Sequence, residues 1–564
     1  MIPQMLHLVR AGHASRPATL KLAFAAATMA MLAAPGAQAQ FDTGGYNSAS
    51  TPLARAQQSK LEQARAKQEG LRGSDAVSGP LPELQVFAAV SLAETYTTNA
   101  SGSTGNGKGY DLYTTPGIHL GLLQESSRLT ASIDYALTGQ YHARFHDLDQ
   151  LTHRLDATAN AELIDRFLFL DAQANAAPTM LSRVGDLSAG DGTPTRGNYR
   201  NTYRYAVRPT VMHQFGSFAE VDLWASQSGV YFVRPSSGAL SPLPGFFRPP
   251  TNSNSTAIGA RIASLDDFMR FRWSLNASAS NTYQGSHQSQ KVRSAVANVS
   301  YALSNSFSLI ATGGYQTYHS SFLLSKDLDG PTLLGGFQFA PNPNLLLYVQ
   351  AGTQNNFPTY IGALDWKVTP QTTISASAND KVQTPQQQLM GDLQNGGNLG
   401  GALPGQSDPS TPGTPQTGSG FLGDGLSLNN AIYRIRRFDA TVSRATERQN
   451  YGFSIFATLR DRLDTPVFSF LDRKEKTYGV RAIVSHHLRR DLRASLGVSA
   501  SKAHEFNGDD RILDGMFSLD YSANEKLNFY FNTDVINRDS HRLIGFSNGN
   551  LTDVRVTVGV RKSF

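Results

Sequence analysis

One pentapeptide in the sequence, GFSNG at 545–549, matches the nucleophile motif of serine hydrolases. A nucleophilic serine of that kind needs a strand, a sharp turn and a helix, with a histidine and an acid beside its hydroxyl group. Here strand-like alternation resumes at Leu551, so Ser547 lies in a hairpin loop, and no helix follows although His541 is near in sequence. We therefore predict no catalytic residue and no enzyme.

Three further patterns could bind ligands, but each lacks the context that binding needs. Residues 418–423 (GSGFLG) match the dinucleotide fingerprint without a flanking βαβ unit. His486 and His487 are neighbours on a predicted strand, so their side chains point to opposite faces and cannot hold one metal ion. The aspartate pairs 147/149 and 327/329 could bind calcium in loops, although ordinary solvated loop acids look the same. The sequence thus predicts neither a cofactor site nor a metal site.

The arginines of the predicted strands stand out more clearly. A charge that faces lipid at mid-bilayer costs about 2–4 kcal/mol, so strand arginines belong in the lumen of a barrel. With acids such as Asp134, Asp156, Asp520 and Asp534, they could guide anionic sugars or small anions, or they could form salt bridges that hold the inner wall together. The ten that fall opposite the apolar face of their strands are Arg204, Arg208, Arg261, Arg272, Arg460, Arg462, Arg481, Arg493, Arg555 and Arg561.

These side chains must be positioned by strands, because apolar and polar residues alternate with period two from Leu84 to the end of the chain. The alternation is clear in 129–141, 271–280, 451–460 and 527–532. Repeated runs of about ten such residues are typical of transmembrane barrels. Helical periodicity is missing from this part of the chain. The predicted fold class is therefore all-β, a large antiparallel transmembrane β-barrel.

The connections alternate between short turns and long loops. Tight turns such as 125–127 are followed by Gly-, Ser-, Asn- and Asp-rich segments such as 178–200, with Asn355-Asn356 as a short exception. Outer-membrane barrels have tight periplasmic turns and long outer loops in this way. Counting from Leu84, we predict about 22 strands, within a range of roughly 18 to 24, and an even number places both ends in the periplasm.

The longest connection, 382–427, is rich in Gln, Gly, Pro, Asn and Ser. It is too polar to build a core. We expect it to form an outer loop, either mobile or folded into the lumen.

The last strand carries the predicted barrel-assembly signal. Val556, Val558 and Val560 alternate with polar residues, and the chain stops on Phe564. A soluble sandwich could bury such a stripe, whereas a barrel turns it toward lipid, and a C-terminal aromatic residue is what the barrel-assembly machinery usually meets. Lys562 shares this face, where it can extend to the headgroups at the periplasmic rim.

The N-terminal residues 1–39 read as a Sec signal peptide. Basic residues precede an apolar run at 22–34, and Ala37 and Ala39 form a small-x-small cleavage site. An uncleaved anchor is the alternative. Residues 40–83 then form a periplasmic linker with a short helix at about 52–73, which could dock on a partner, plug the barrel mouth or remain solvated. The barrel domain is predicted over 84–564.

The composition narrows the class of partner. The net charge of +6 includes three basic residues of the leader, so the mature chain carries too little positive charge to indicate a nucleic-acid partner. Cysteine is absent from the 564 residues, which excludes disulfides and Cys-ligated metals. The expected surroundings are outer-membrane lipid and lipopolysaccharide.

The opening strands resemble those of a known family. Residues 90–99 (VSLAETYTTN), 115–120 (TPGIHL) and 161–172 (AELIDRFLFLDA) are similar to outer-membrane β-barrel porins found with exopolysaccharide loci and with exosortase (PEP-CTERM) sorting systems. The similarity is clearest over 84–180. It implies a role in the export or surface assembly of a polysaccharide, with polysaccharide and periplasmic export components as partners. It defines no catalytic or ligand-binding residue.

Two classes of function stay open. The barrel could be a conduit or export accessory for polysaccharide or another polar solute, or a general solute porin that prefers anions. Alternatively, it could be a structural barrel without an open pore that binds a periplasmic partner or surface polymer. A TonB-dependent transporter would fit the strand count, but it needs a folded plug domain much longer than residues 40–83, and we therefore reject it.

Overall fold

The computed structural model describes residues 84–101, 109–180, 199–233, 251–265, 270–285, 288–321, 328–394, 432–463, 474–505, 508–542 and 549–564. The predicted leader with Ala37 and Ala39, the linker helix at 52–73, the GSGFLG segment and Ser547 lie outside these residues. No helix among the described residues is long and apolar enough to cross a membrane.

Twenty-two strands and two short helices make up the described chain. The helices are a 3-10 turn at His146–Leu148 and an α-helix, α1, at Pro385–Gln394. The strands in chain order are β1 Leu84–Thr97, β2 Asp111–Glu125, β3 Leu129–His142, β4 Gln150–Ile164, β5 Leu168–Met180, β6 Tyr199–Phe215, β7 Ala219–Val233, β8 Ser253–Ser264, β9 Phe271–Gln284, β10 Gln288–Ala302, β11 Phe307–Ser320, β12 Leu328–Asn342, β13 Leu345–Gln354, β14 Phe357–Thr369, β15 Thr372–Gln383, β16 Tyr433–Ala445, β17 Gln449–Arg462, β18 Lys474–Arg489, β19 Leu492–Glu505, β20 Gly508–Asn524, β21 Leu527–Arg542 and β22 Gly549–Ser563.

All 22 strands join one antiparallel sheet that closes on itself. Each strand pairs with its neighbours in sequence, and β1 pairs with β22 from Ala89–Ser563 to Thr97–Arg555. At this closure Thr97 Oγ1 donates to Asp553 Oδ1 over 2.8 Å on the inner face. The predicted all-β antiparallel barrel of about 22 strands is confirmed.

The outer surface of the barrel is apolar, because alternate residues of each strand point outward. Leu92, Ile118, Leu275, Phe453 and Val558 are all exposed on this surface. Their neighbours in sequence point inward and are mostly polar. A water-soluble protein does not expose such a continuous apolar band, whereas lipid requires one, so this is a transmembrane barrel of the outer-membrane kind.

The two ends of the barrel differ. At one end the strands join through tight turns, in which Arg166 and Gly216 adopt positive φ angles of 52° and 58°. We call this end the turn rim, and it also holds the start of β1 and the end of β22. The long connections lie at the other end, the loop rim. Three connections at this rim are short: β9–β10, β19–β20 and the β13–β14 hairpin. In the last, Asn355 and Asn356 both have positive φ, as a two-residue type I′ turn requires.

Candidate constriction site in the barrel lumen

The strand register places all ten predicted lumen arginines on the inner face of the wall. They vary in exposure: Arg204 and Arg561 are 2% and 1% exposed, whereas Arg208, Arg272, Arg462 and Arg493 are half-buried. The acids Asp134, Asp156, Asp520 and Asp534 share this face. Neighbouring strands thus bring together side chains that are far apart in sequence.

Five of the ten arginines face an acid directly on the adjacent strand. The register pairs are Arg208–Asp171, Arg261–Asp222, Arg460–Glu475, Arg493–Asp520 and Arg555–Asp534. The charged groups of Arg261 and Asp222 are 2.9 Å apart, and those of Arg460 and Glu475 are 3.0 Å apart. These arginines therefore lie in a wall of alternating charge, which favours the salt-bridge interpretation over a uniformly positive lumen.

Helix α1 begins at a capping box that directly follows β15. Gln387 N donates to Thr384 Oγ1 over 3.2 Å, and Thr384 N donates to Gln387 Oε1 over 2.9 Å. Pro385 occupies the first helical position, where its missing N–H and fixed φ do no harm. The four residues Thr-Pro-Gln-Gln thus start a helix inside a segment of otherwise low complexity.

Helix α1 contacts β5, β6 and β7. It therefore lies against the side of the lumen opposite β15, the strand that it follows. Arg204 Nη1 donates to the Leu389 backbone oxygen over 2.7 Å, and Arg204 Nη2 donates to Asn175 Oδ1 over 2.6 Å. Asn175 Nδ2 in turn donates to Asp156. At the start of the helix, Gln284 Nε2 of β9 donates to Thr384 Oγ1 over 3.4 Å. The helix is therefore anchored to the inner wall at its start and at its middle.

The strands that carry the helix also bend into the lumen. The β14–β15 ladder stops at the Gly362–Ala378 pair, but β15 stays paired with β16 as far as Gln383–Tyr433. The loop-rim ends of β15 and β16 have thus separated from β14.

An ion pair fixes the separated ends behind β14. Arg434 Nε donates to Asp380 Oδ1 over 2.9 Å. Both residues are buried, although residues on the same face of these strands point toward lipid nearer the turn rim. The guanidinium also donates to the Pro358 backbone oxygen and lies 4.9 Å from the centre of the Phe357 ring. Residues 432–435 are consequently buried on both faces. Helix α1 and these strand ends together narrow the loop-rim half of the lumen; we call them the constriction.

The prediction that helical periodicity is missing from the barrel region was wrong at the start of the 382–427 connection, where the helix lies in the lumen, one of the two alternatives expected for this connection. Residues up to Gln383 continue β15, and 385–394 are helical, so helical periodicity is not missing from the barrel region. Residues 395–427 lie outside the described chain. The Thr384-Pro385-Gln386-Gln387 capping box could have indicated the start of a helix, but the polar composition of the segment concealed the helix.

The remaining predicted residues can be placed individually. On β22, Val558 and Phe564 are 58% and 65% exposed on the lipid-facing side, with Val556 and Val560 half-buried on the same side. His486 and His487 face opposite sides of β18 and therefore share no ligand. Across the described residues, no three His, Cys, Asp or Glu side chains are grouped so that they could hold a metal ion.

Comparison with known proteins adds little to this geometry. No protein-family model and no curated protein matches the sequence. Among solved structures, the Pseudomonas aeruginosa protein FpvA bound to a heterologous pyoverdine has a TM-score of 0.45 and 11% identity, over 85% of this chain and 72% of that one. The siderophore receptor PirA from Acinetobacter baumannii has a TM-score of 0.45 and 6% identity, over 87% and 81%. Acinetobacter baumannii OccAB3 has a TM-score of 0.33 and 8% identity, over 85% and 100%. These similarities are too weak to assign a function.

Proposed function

We propose that this chain is an outer-membrane conduit for a polar solute, with helix α1 as the element that sets the width of the passage. The observation that carries the proposal is the pair of hydrogen bonds that Arg204 makes to Leu389 and Asn175, because they hold a helix across the lumen. A helix held in the lumen by the wall determines how much of the lumen stays open. The paired charges of the wall would let neutral or weakly charged chains pass without trapping them.

Single-channel conductance in planar bilayers tests this proposal. A variant that lacks residues 384–394 removes the capping box and the helix, and we expect it to conduct several times more current than the native barrel. The matched control deletes residues 406–416, which shortens the same connection by the same length without touching the helix. We expect its conductance to stay close to the native value.

Absence of conductance in the native protein and in both deletion variants would refute the conduit and support the alternative, a closed barrel that binds a periplasmic partner or surface polymer. Equal conductance in all three proteins would leave a pore but remove α1 as its constriction.

For the solute we propose a polysaccharide, on the strength of the resemblance over residues 84–180. Deletion of the gene should lower cell-surface or secreted polysaccharide, and the native gene should restore it. A complementing copy that lacks residues 384–394 tests whether export of the polymer requires the narrow lumen. Restored polymer would show that it does not. Unchanged polymer in the deletion strain would contradict a role in its export or assembly.

A further inference from the structure

The lipid-facing wall formed by β10, β11 and β12 contains a depression of about 480 Å³. Small residues create it, since Ala297, Ala311, Gly313 and Gly335 line it beside Leu333. A Cβ atom added at Gly335 would meet no atom within 4 Å, and one at Gly313 would meet only Leu333 Cδ2 at 4.0 Å. The glycines therefore leave open space here that a side chain could fill. The depression is shallow and open to the lipid and its lining is mainly apolar, so a hydrocarbon chain can lie in it.

Two cations lie above this depression on the same face. Lys291 and Arg293 of β10 are both exposed, and the register places them on the outward side with Ala297. Arg293 precedes Ala297 by four residues, which is about 13 Å along a strand. The outward acid in this region, Asp329, lies two strands away on β12 with its Oδ1 3.7 Å from His319 Nδ1. The surface beside β10 therefore keeps a positive charge.

The height of these cations matches the boundary of the apolar band. Leu303 directly follows the end of β10, is exposed beside the turn at 304–306, and lies ten residues after Arg293. This corresponds to about 33 Å along the strand, or about 25 Å along the membrane normal at a tilt of about 40°. An apolar band of a transmembrane barrel is about 25 Å tall. Arg293 thus lies where the outer-leaflet headgroups begin.

We infer that this surface binds one phosphate-bearing lipid of the outer leaflet. Its phosphate would contact Arg293 and Lys291, since the guanidinium fork matches a phosphate in geometry and charge. One acyl chain would run down β10 past Ala295 and fill the depression at Gly313 and Gly335. The site depends on the outward orientation of this face and not on whether the lumen conducts.

Native mass spectrometry of the full chain in a mild detergent tests this site, with rough-type lipopolysaccharide as the added lipid. We expect a species with one lipid bound. The Lys291→Gln/Arg293→Gln double variant should lower its fraction about tenfold at fixed lipid concentration, because the phosphate contacts are lost. Gly335→Phe should lower it to a similar extent by filling the depression. The same lipid with its phosphates removed should bind the native protein as weakly as lipopolysaccharide binds the double variant.

Two matched controls separate this site from general lipid adhesion. Gly515 is a lipid-facing glycine on β20, and a Cβ atom added there would also meet no atom within 4 Å. Gly515→Phe therefore adds the same side chain to a different part of the outer wall. Lys476→Gln/Arg511→Gln removes two exposed outward cations elsewhere on the loop rim. Both should bind lipid as the native protein does, and heat-modifiable migration on gels should show that every variant is folded. Equal loss in the controls, no loss in either test variant, or undiminished binding of the dephosphorylated lipid would overturn the inference.

Discussion

Arg460 and Glu475 form a buried ion pair on the inner wall, and their charged groups lie 3.0 Å apart. The Arg460 guanidinium also lies 4.3 Å from the centre of the Tyr433 ring. Because removal of one partner leaves a buried charge uncompensated, we expect Arg460→Met to lower the free energy of unfolding by about 3–5 kcal/mol. Urea-dependent unfolding in lipid vesicles measures this change.

The control for the Arg460 prediction removes both charges together. Arg460→Met/Glu475→Leu leaves no unpaired charge, so it should recover most of the lost stability. If the single variant were as stable as the native barrel, the pair would contribute nothing to the wall.

Gly335 and Gly336 are neighbours on β12, but only Gly335 has room for a side chain. A Cβ at Gly336 would lie 1.9 Å from the Val349 backbone oxygen on β13, whereas a Cβ at Gly335 would meet nothing within 4 Å. Backbone cannot yield as a flexible side chain does, so we expect Gly336→Ala to reduce the amount of folded barrel strongly and Gly335→Ala to leave it unchanged. Heat-modifiable migration of membrane extracts measures the folded amount. Equal behaviour of the two variants would contradict the close approach of β12 and β13.

At the scale of elements, β22 shows what the period-two pattern can predict. Its alternation places Arg555 and Arg561 inward and Val558 outward, because a strand has two faces and only one of them can meet lipid. The position of helix α1 cannot be predicted from this period-two pattern. Its capping box is local and readable, but its contact with Arg204 joins residues 185 positions apart. Such a contact depends on how far the strand ends bend into the lumen, which no local pattern records.

The end of β22 also contains the predicted assembly signal. Phe564 N donates to the Ala88 backbone oxygen over 2.9 Å, and the Lys562 ammonium lies 5.5 Å from the centre of the Phe564 ring. Deletion of Phe564 removes both the terminal aromatic ring and this bond to β1. We expect the deletion to lower the heat-modifiable fraction several-fold and Lys562→Tyr, which places another aromatic residue at the rim, to leave it near native. A normal fraction in the Phe564 deletion would remove the residue from the assembly signal.

At the scale of the whole molecule, charge balance distinguishes this barrel from one built to attract anions. The arginines and acids such as Asp520 and Asp534 were predictable as inward-facing from strand parity, but which acid faces which arginine was not, because pairing depends on the register between strands. The acids opposite Arg208, Arg261 and Arg493 offset the positive charge of the lumen. A conduit with such a wall should discriminate weakly between small anions and cations.

Reversal potentials across a potassium chloride gradient measure that discrimination. The native pore should give a value near zero, whereas Asp171→Asn/Asp222→Asn/Asp520→Asn should shift the potential toward anion selectivity, because three arginines lose the charge that faces them. The control, Asp165→Asn/Glu447→Gln/Glu525→Gln, removes as many acids from exposed turns at the turn rim and should change the potential little. A strongly anion-selective native pore would show that the paired acids do not offset the arginines. An unchanged potential in the triple lumen variant would show that permeating ions do not pass this part of the wall.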